Sequence, residues 1–207
     1  ELAKVCRAHD ALLVVDDAHG IGVLGPEGRG SVAELGLSEE DVPVLIGTLG
    51  KAVGTSGAFV AGPSMLMDYL VQKARTYIYT TAMPPAIAMA TISSLDLIER
   101  DQGRRDHVMG LVSRFRREAS AMGYELMPSR TPIQPIMIGD NYGALALSQA
   151  LEKRGLLVSA IRPPTVPVGE ARLRVTFSAA HSQEDLDCLL GGLSECRHLL
   201  QKTDVAI

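Results

Sequence analysis

Short apolar runs that stop at glycine or charged residues constrain the fold of this chain most. Three of them lie between residues 11 and 61, at 11–15, 44–48 and 58–61. Their length and β-branched content are typical of buried strands. Helical patterns follow over 64–75 and from Pro85 to about Arg100. Buried strands combined with such helices predict an α/β fold for this part of the chain.

The pattern changes after residue 122, which ends a third amphipathic helix that begins near Arg104. The remainder predicts a smaller α+β arrangement, with strands at 134–138, 156–161 and 172–178, and helices over 142–154 and from Ser182 to about Leu200. The last helix begins with the spacing of a capping box, Ser182 and Asp185. We therefore expect two domains, a larger one over 1–98 and a smaller one over 99–207.

Composition excludes several classes of protein. The 207 residues carry a net charge of −4, whereas proteins that bind nucleic acid typically have an excess of Lys and Arg on one face. No run approaches the roughly 18 apolar residues of a membrane helix. The three cysteines are scattered, as expected in a reducing cytoplasm. The chain opens on Glu1 within a helical pattern, so we expect it to be part of a longer protein.

Asp16 and His19 lie where the first apolar run ends, the edge at which open α/β sheets bind ligands. Three interpretations stay open: a metal site, which has too few ligands and is not expected; caps on loop amides; or a carboxylate paired with a pyridinium nitrogen. Residues 20–25 also match the dinucleotide motif G-x-G-x-x-G. That motif requires a helix to start within the glycines, and 26–30 predicts none.

Lys51 follows the second apolar run and stands between Gly50 and Gly54. An isolated lysine is ordinarily a surface residue, but small neighbours allow a bulky ring to approach its amine. An amine held in this way can bond covalently to a carbonyl cofactor. The hydroxyls of Thr48 and Thr81 suit a phosphate.

Arg162 and Arg174 are candidate anion ligands in the second part. Arg162 precedes a stiff proline-rich segment, and Arg174 lies in a strand expected to be half-buried. Strand alternation places Arg172 and Arg174 on one face. A buried guanidinium there would grip a substrate carboxylate or form an internal salt bridge.

Together these segments resemble the α-oxoamine synthase family of fold-type-I pyridoxal-phosphate enzymes, and the resemblance covers essentially the whole chain. The segments that carry it are Val15-Asp16-Asp17-Ala18-His19-Gly20, Gly28-Arg29-Gly30, Thr48-Leu49-Gly50-Lys51, Tyr79-Thr80-Thr81-Ala82-Met83-Pro84-Pro85 and Ala160-Ile161-Arg162-Pro163-Pro164-Thr165-Val166-Pro167. The resemblance implies part of a large cofactor-binding α/β domain followed by a small C-terminal domain.

The resemblance also implies roles for single residues around pyridoxal 5′-phosphate. Lys51 is similar to the lysine that holds the cofactor covalently and later moves the substrate's α-proton. Asp16 resembles the partner of the pyridinium nitrogen, and His19 the residue bonded to the phenolic oxygen. Thr48 resembles a phosphate ligand, and Thr81 a phosphate ligand donated by a neighbouring subunit.

Substrate roles follow in the same way. Arg174 resembles the clamp on the amino-acid carboxylate, and Arg162 and Thr165 resemble residues near the acyl substrate or the product carboxylate. Residues 160–167 look most like the branch that condenses L-alanine with pimeloyl-CoA or a pimeloyl carrier protein in biotin synthesis, rather than the branches that use glycine or serine. A homodimer with shared active sites is implied. Two alternatives stay open: another branch of the family that uses glycine or serine, and a catalytically silent subunit. Because the family is longer at its N-terminus, we expect this chain alone to be unstable and inactive.

Overall fold

The computed structural model describes residues 1–199 and divides into two compact units, Glu1–Gln102 and the part from Gly103 onward. Our sequence boundary after residue 98 falls inside a helix that continues to Arg100. Both units combine helices with a sheet, as predicted.

Unit 1 contains a three-stranded sheet in the order β1 (Val14–Asp16), β2 (Val44–Thr48), β3 (Ala58–Ala61). β1 runs parallel to β2, and β2 pairs antiparallel with β3. β2 and β3 have their predicted bounds. β1 begins three residues later than predicted and includes Asp16. Val14 is 50% exposed and Val60 of β3 is 41% exposed, so the prediction of buried strands was wrong for β1 and β3.

The helices of unit 1 are α1 (Leu2–Ala8), α2 (Ser31–Glu34), α3 (Ser64–Lys73), α4 (Arg75–Ile78) and α5 (Pro85–Arg100), with a 3-10 turn at Pro26–Gly28. The single helix predicted over 64–75 is interrupted at Ala74, whose backbone is extended (ψ 103°). α5 buries only Thr91, and large apolar side chains such as Met89 and Ile92 stay exposed. Apolar surface of this kind marks an interaction site or an aggregation liability. It supports the low stability that we predict for the isolated chain.

Unit 2 begins one residue into α6 (Gln102–Ala121). Its antiparallel sheet has the order β4 (Glu125–Leu126), β5 (Ile133–Gly139), β7 (Ala171–Thr176), β6 (Ser159–Ile161). Its other helices are α7 (Asn141–Glu152) and α8 (Gln183–Cys196), followed by a 3-10 turn at Arg197–Leu199. The predicted strand at 156–161 forms only over its last three residues, and Leu200 lies outside the described residues.

The core of unit 2 lies between one face of this sheet and its helices. Phe115 and Leu147 from the helices meet Ile136 and Leu173 from the strands, all of them fully buried. The first turn of α8 is closed by the predicted capping box, in which Ser182 and Asp185 exchange side-chain-to-backbone hydrogen bonds. The regular alternation of strand residues thus places apolar side chains on the helix-covered face.

Tyr124 provides a direct test of this core. Its buried hydroxyl donates to the backbone oxygen of Leu193 over 2.7 Å, and burial raises the pKa of this phenol to about 12. Tyr124→Phe leaves that oxygen without its donor and should lower the free energy of unfolding by about 1 kcal/mol at neutral pH. The control is Tyr142→Phe, because Tyr142 is 86% exposed.

The pH dependence of this difference has a defined sign. The folded-state pKa of Tyr124 is raised above the unfolded value of about 10, so its contribution to stability is complete below pH ~10 and is lost as the pH rises toward 12. The urea midpoints of wild type and Tyr124→Phe should therefore converge at alkaline pH. A Tyr124→Phe midpoint equal to that of the control at neutral pH would contradict the assigned hydrogen bond.

Within residues 1–199, none of the helices is both long enough and apolar enough to cross a bilayer.

Candidate active site

The parallel pair β1 and β2 positions the first group of candidate residues. Asp16, the last residue of β1, lies opposite Ile46, and Thr48 ends β2 two residues further on. The carboxyl ends of parallel neighbours meet at one sheet edge, where α/β proteins bind ligands. The turn after β1 and the loop after β2 therefore leave the sheet on the same side.

The turn after β1 presents Asp16 and His19 to solvent. One carboxylate oxygen of Asp16 (Oδ1) accepts a hydrogen bond from the Ala18 amide over 3.0 Å. The amides of Gly20 and Ile21 both donate to the backbone oxygen of Asp17, which closes the turn. The carboxylate and the imidazole are consequently held on a short, hydrogen-bonded segment and are accessible to a ligand.

The glycine segment 20–25 does not form a dinucleotide site of the usual kind. Gly22 and Gly25 have φ values of +81° and +75°, and the segment continues as turns into the 3-10 turn at Pro26–Gly28. The next helix, α2, starts only at Ser31. A helix that begins within the glycines is what a pyrophosphate site requires, so the structure agrees with our rejection of that motif.

Lys51 lies on the loop 49–57 that joins β2 to β3. The Leu49 amide donates to the Gly57 oxygen, and the Thr55 amide donates to the Leu49 oxygen, over 2.9 and 2.8 Å. The Gly54 amide donates to the Lys51 oxygen. These bonds define the path of the loop and leave the Lys51 side chain exposed.

Thr48 has an internal role at the base of the same loop. Its hydroxyl donates to the Gly57 oxygen over 3.2 Å and accepts from the Gly50 amide over 3.3 Å. The single hydroxyl proton is thus used within the loop. A phosphate-binding role for Thr48 requires this hydroxyl to rotate away from Gly57.

Two hydroxyls of α5 anchor the loop, and sequence reasoning missed both. Ser94 donates to the Val53 oxygen over 2.6 Å, and the hydroxyls of Thr91 and Thr55 lie 2.9 Å apart. Thr91 and Ser94 are three residues apart and share one face of the helix. That spacing of hydroxyls, in a helix whose first half is otherwise apolar, was the available signal.

Thr81 lies between α4 and α5, ahead of the prolines that begin α5, and is exposed. Its neighbour Thr80 donates its hydroxyl to the Thr76 oxygen one turn earlier. The exposed hydroxyl of Thr81 is available to an external anion, and its assignment as a phosphate ligand stays a prediction.

Unit 2 carries the remaining candidates. Arg162 and Thr165 follow β6, are exposed, and belong to one turn in which the Thr165 amide donates to the Arg162 oxygen over 3.0 Å. Arg174 is exposed in β7, opposite Pro135 and Ser159 of the neighbouring strands. β7 is half-buried, as predicted, but Arg174 lies on its exposed side and its guanidinium is not the buried one considered from the sequence, because the helices cover the opposite face, where Leu173 is fully buried.

Arg172, on the same face as Arg174, pairs with Glu170 over 2.9 Å. Arg174 forms no ion pair with any residue of 1–199. The internal salt bridge considered from the sequence therefore belongs to Arg172, and the Arg174 guanidinium is accessible to an external carboxylate. Across residues 1–199, no three His, Cys, Asp or Glu side chains are arranged to hold a metal ion.

The chain is similar to known proteins over nearly its whole length. The chain is 72% identical over 202 residues to 8-amino-7-oxononanoate synthase of Marinobacter nauticus, covering 98% of this chain and 51% of the relative. It superimposes on Sphingomonas wittichii serine palmitoyltransferase with a TM-score of 0.89 and 31% identity, covering 97% of this chain and 50% of that one. For 8-amino-7-oxononanoate synthase of Francisella tularensis the TM-score is 0.82, again at 31% identity, covering 94% and 57%.

The chain spans about half the length of the curated relatives that it matches. The aminotransferase class I and II family matches residues 1–193. Both structural relatives are α-oxoamine synthases with the fold of type-I pyridoxal-phosphate enzymes. The chain therefore belongs to the aminotransferase class I and II family and is similar to α-oxoamine synthases over nearly its whole length.

Proposed function

We propose that the full-length polypeptide containing these residues is an 8-amino-7-oxononanoate synthase. It would condense L-alanine with a pimeloyl thioester, using pyridoxal 5′-phosphate, and release 8-amino-7-oxononanoate, CO2 and the free thiol in biotin biosynthesis. The observation that carries the proposal is the 72% identity to a synthase of that name across nearly the whole chain. The cytoplasm is the proposed location.

Structural similarity alone does not select this branch of the family. The chain is 31% identical both to a serine palmitoyltransferase and to an 8-amino-7-oxononanoate synthase of known structure, and the TM-score is higher for the former. Sequence identity separates the branches where the shared fold does not. A silent subunit is disfavoured, because Lys51, Asp16 and His19 are all present and exposed at one sheet edge.

These residues fit the cofactor by the chemistry of their donor and acceptor groups. Asp16 offers a carboxylate for a protonated ring nitrogen, His19 an imidazole for the phenolic oxygen, and Lys51 a primary amine for the carbonyl carbon. Thr81 offers a hydroxyl for the phosphate, and Thr48 offers one once its hydroxyl rotates away from the Gly57 oxygen. The parallel register of β1 and β2 supports the proposal, since it places the Asp16 turn and the Lys51 loop at the same edge.

Each side chain then has a defined task. When bound, the cofactor supplies an electron sink for the charge left as the alanine α-proton departs. Asp16 keeps the ring nitrogen protonated, and Lys51 holds the cofactor and accepts the α-proton. Arg174 would bind the alanine carboxylate as a bidentate ligand.

The acyl substrate and the second subunit complete the proposal. Arg162 and Thr165, exposed on one turn, would contact the acyl substrate near its carboxylate. Thr81 would serve the phosphate site of a neighbouring subunit in a homodimer. The exposed position of Thr81 between α4 and α5 is compatible with that role.

A spectroscopic titration tests the proposal. The full-length polypeptide is loaded with pyridoxal phosphate, and its visible absorption is followed on separate addition of L-alanine, glycine and L-serine. We expect a bound-cofactor band that responds to L-alanine at the lowest concentration. A band that responds best to glycine or serine would move the protein to another branch, and the absence of any band would restore the silent-subunit alternative.

A further inference from the structure

Asp17 is a buried carboxylate beside the candidate catalytic residues, and the proposed function leaves it without a task. Only 4% of the residue is exposed. One carboxylate oxygen (Oδ2) accepts from the Ser31 amide over 2.7 Å, and the other accepts from the Ser31 hydroxyl. Both oxygens are therefore bonded to one residue, fourteen positions away at the start of α2.

The backbone of Asp17 is equally constrained. Its amide donates to the Ile46 oxygen of β2 over 2.8 Å. Its own oxygen accepts from the amides of Gly20 and Ile21, which closes the turn that carries His19. Asp17 thus connects three parts of unit 1: the sheet, the turn that presents His19, and the first turn of α2.

Two glycines lie against the Asp17 carboxylate. A Cβ at Gly20 would lie 2.0 Å from Oδ1, and a Cβ at Gly30 would lie 2.1 Å from Oδ2. Neither distance is sterically possible, so these two positions admit only glycine while the carboxylate stays where it is. The close approach gives a physical reason for glycine at the end of Asp16-Asp17-Ala18-His19-Gly20 and of Gly28-Arg29-Gly30.

We propose that Asp17 is a positioning residue: bound by Ser31, it fixes the turn so that Asp16 and His19 face the cofactor. This inference rests on the proposed function. Asp16 and Asp17 are successive residues, one exposed and one buried. Holding the Asp17 side chain inside the unit therefore keeps its neighbour's carboxylate outside. His19 follows within the same hydrogen-bonded turn, so a loosened Asp17 would displace both groups together.

The test compares three variants of the full-length polypeptide loaded with pyridoxal phosphate. Asp17→Ala leaves the amide and hydroxyl of Ser31 without an acceptor. Asp17→Asn keeps a carbonyl oxygen for the amide, and its NH2 group donates to the Ser31 hydroxyl, so it is the conservative rescue. Asp41→Ala is the matched control, because Asp41 likewise accepts from the amide and hydroxyl of one serine, Ser38, in unit 1.

Three readouts are measured: the visible circular dichroism of the bound cofactor, the dissociation constant of the cofactor, and kcat. All are measured at a temperature at which every variant is folded. A misplacement of about 1 Å costs roughly 10²-fold in rate. We expect Asp17→Ala to lose kcat on that scale, bind the cofactor more weakly and change its dichroism. Asp17→Asn and Asp41→Ala should keep all three values near wild type.

The outcomes separate this inference from the proposed function. A wild-type protein that shows no cofactor band refutes the proposed function itself. A normal wild-type band, with Asp17→Ala lowering only the unfolding temperature, overturns the positioning role. If Asp17→Ala does not fold, Ser31→Ala decides: an altered dichroism supports the role, and unchanged dichroism and kcat overturn it.

Discussion

Replacement of Lys51 by alanine should abolish turnover, with kcat at least about 10³-fold below wild type, since the proposed function uses its amine both as covalent attachment and as proton acceptor. The exposed Lys51 side chain lies on a loop held at both ends by backbone hydrogen bonds and anchored to α5 through Val53 and Thr55. None of these bonds involves the lysine amine. The variant should therefore fold like wild type.

Borohydride reduction followed by intact-mass measurement makes this prediction specific. Reduction should fix the cofactor to wild type and leave the Lys51→Ala polypeptide at its unmodified mass. The control is Lys73→Ala, which removes an exposed lysine from the last turn of α3. Retained turnover in Lys51→Ala, or the same added mass after reduction, would show that another amine holds the cofactor.

The parts of the fold that could be predicted are those that local chemistry decides. β2 ends two residues before Gly50, and β3 lies between Gly57 and Gly62. Both strands were located because glycines mark their ends. The capping box of α8 needs only residues three positions apart. In each case the signal and the structure lie in the same short segment.

The errors concern features that depend on distant partners. β1 is shorter than its apolar run, because a strand extends only where a neighbour pairs with it, and β2 pairs with Val14–Asp16 alone. Ala74 interrupts a helix without glycine or proline to signal it. Alternation placed Arg172 and Arg174 on one face of β7 correctly, but could not say which face the helices cover.

The candidate site shows the same division. Asp16, His19 and Lys51 could be proposed as candidates because strand ends and small residues mark them locally, and their roles stay predictions. The contact between Asp17 and Ser31 spans fourteen residues, and the one between Thr55 and Thr91 spans thirty-six. Neither pair has a spacing that predicts contact. The hydrogen bonds that support the candidate residues therefore required the structure.

Replacement of Asp16 by asparagine should separate catalysis from folding. Among residues 1–199, the Asp16 carboxylate accepts a hydrogen bond from the Ala18 amide alone, and the asparagine oxygen can accept it equally well. We expect the free energy of unfolding to change by less than about 0.5 kcal/mol, as for other exposed substitutions. What the variant loses is the negative charge.

That charge is predicted to pair with the cofactor's ring nitrogen. Breaking a desolvated charge pair costs about 3–5 kcal/mol, which corresponds to a fall in kcat of roughly 10²–10³-fold or more. Asp68→Asn, an exposed neutralisation on α3, should leave kcat unchanged and controls for net charge. If Asp16→Asn turns over like this control, Asp16 is a cap of its own turn, as one of the interpretations open from the sequence holds. If kcat falls while the urea midpoint stays constant, the carboxylate acts on the chemistry alone.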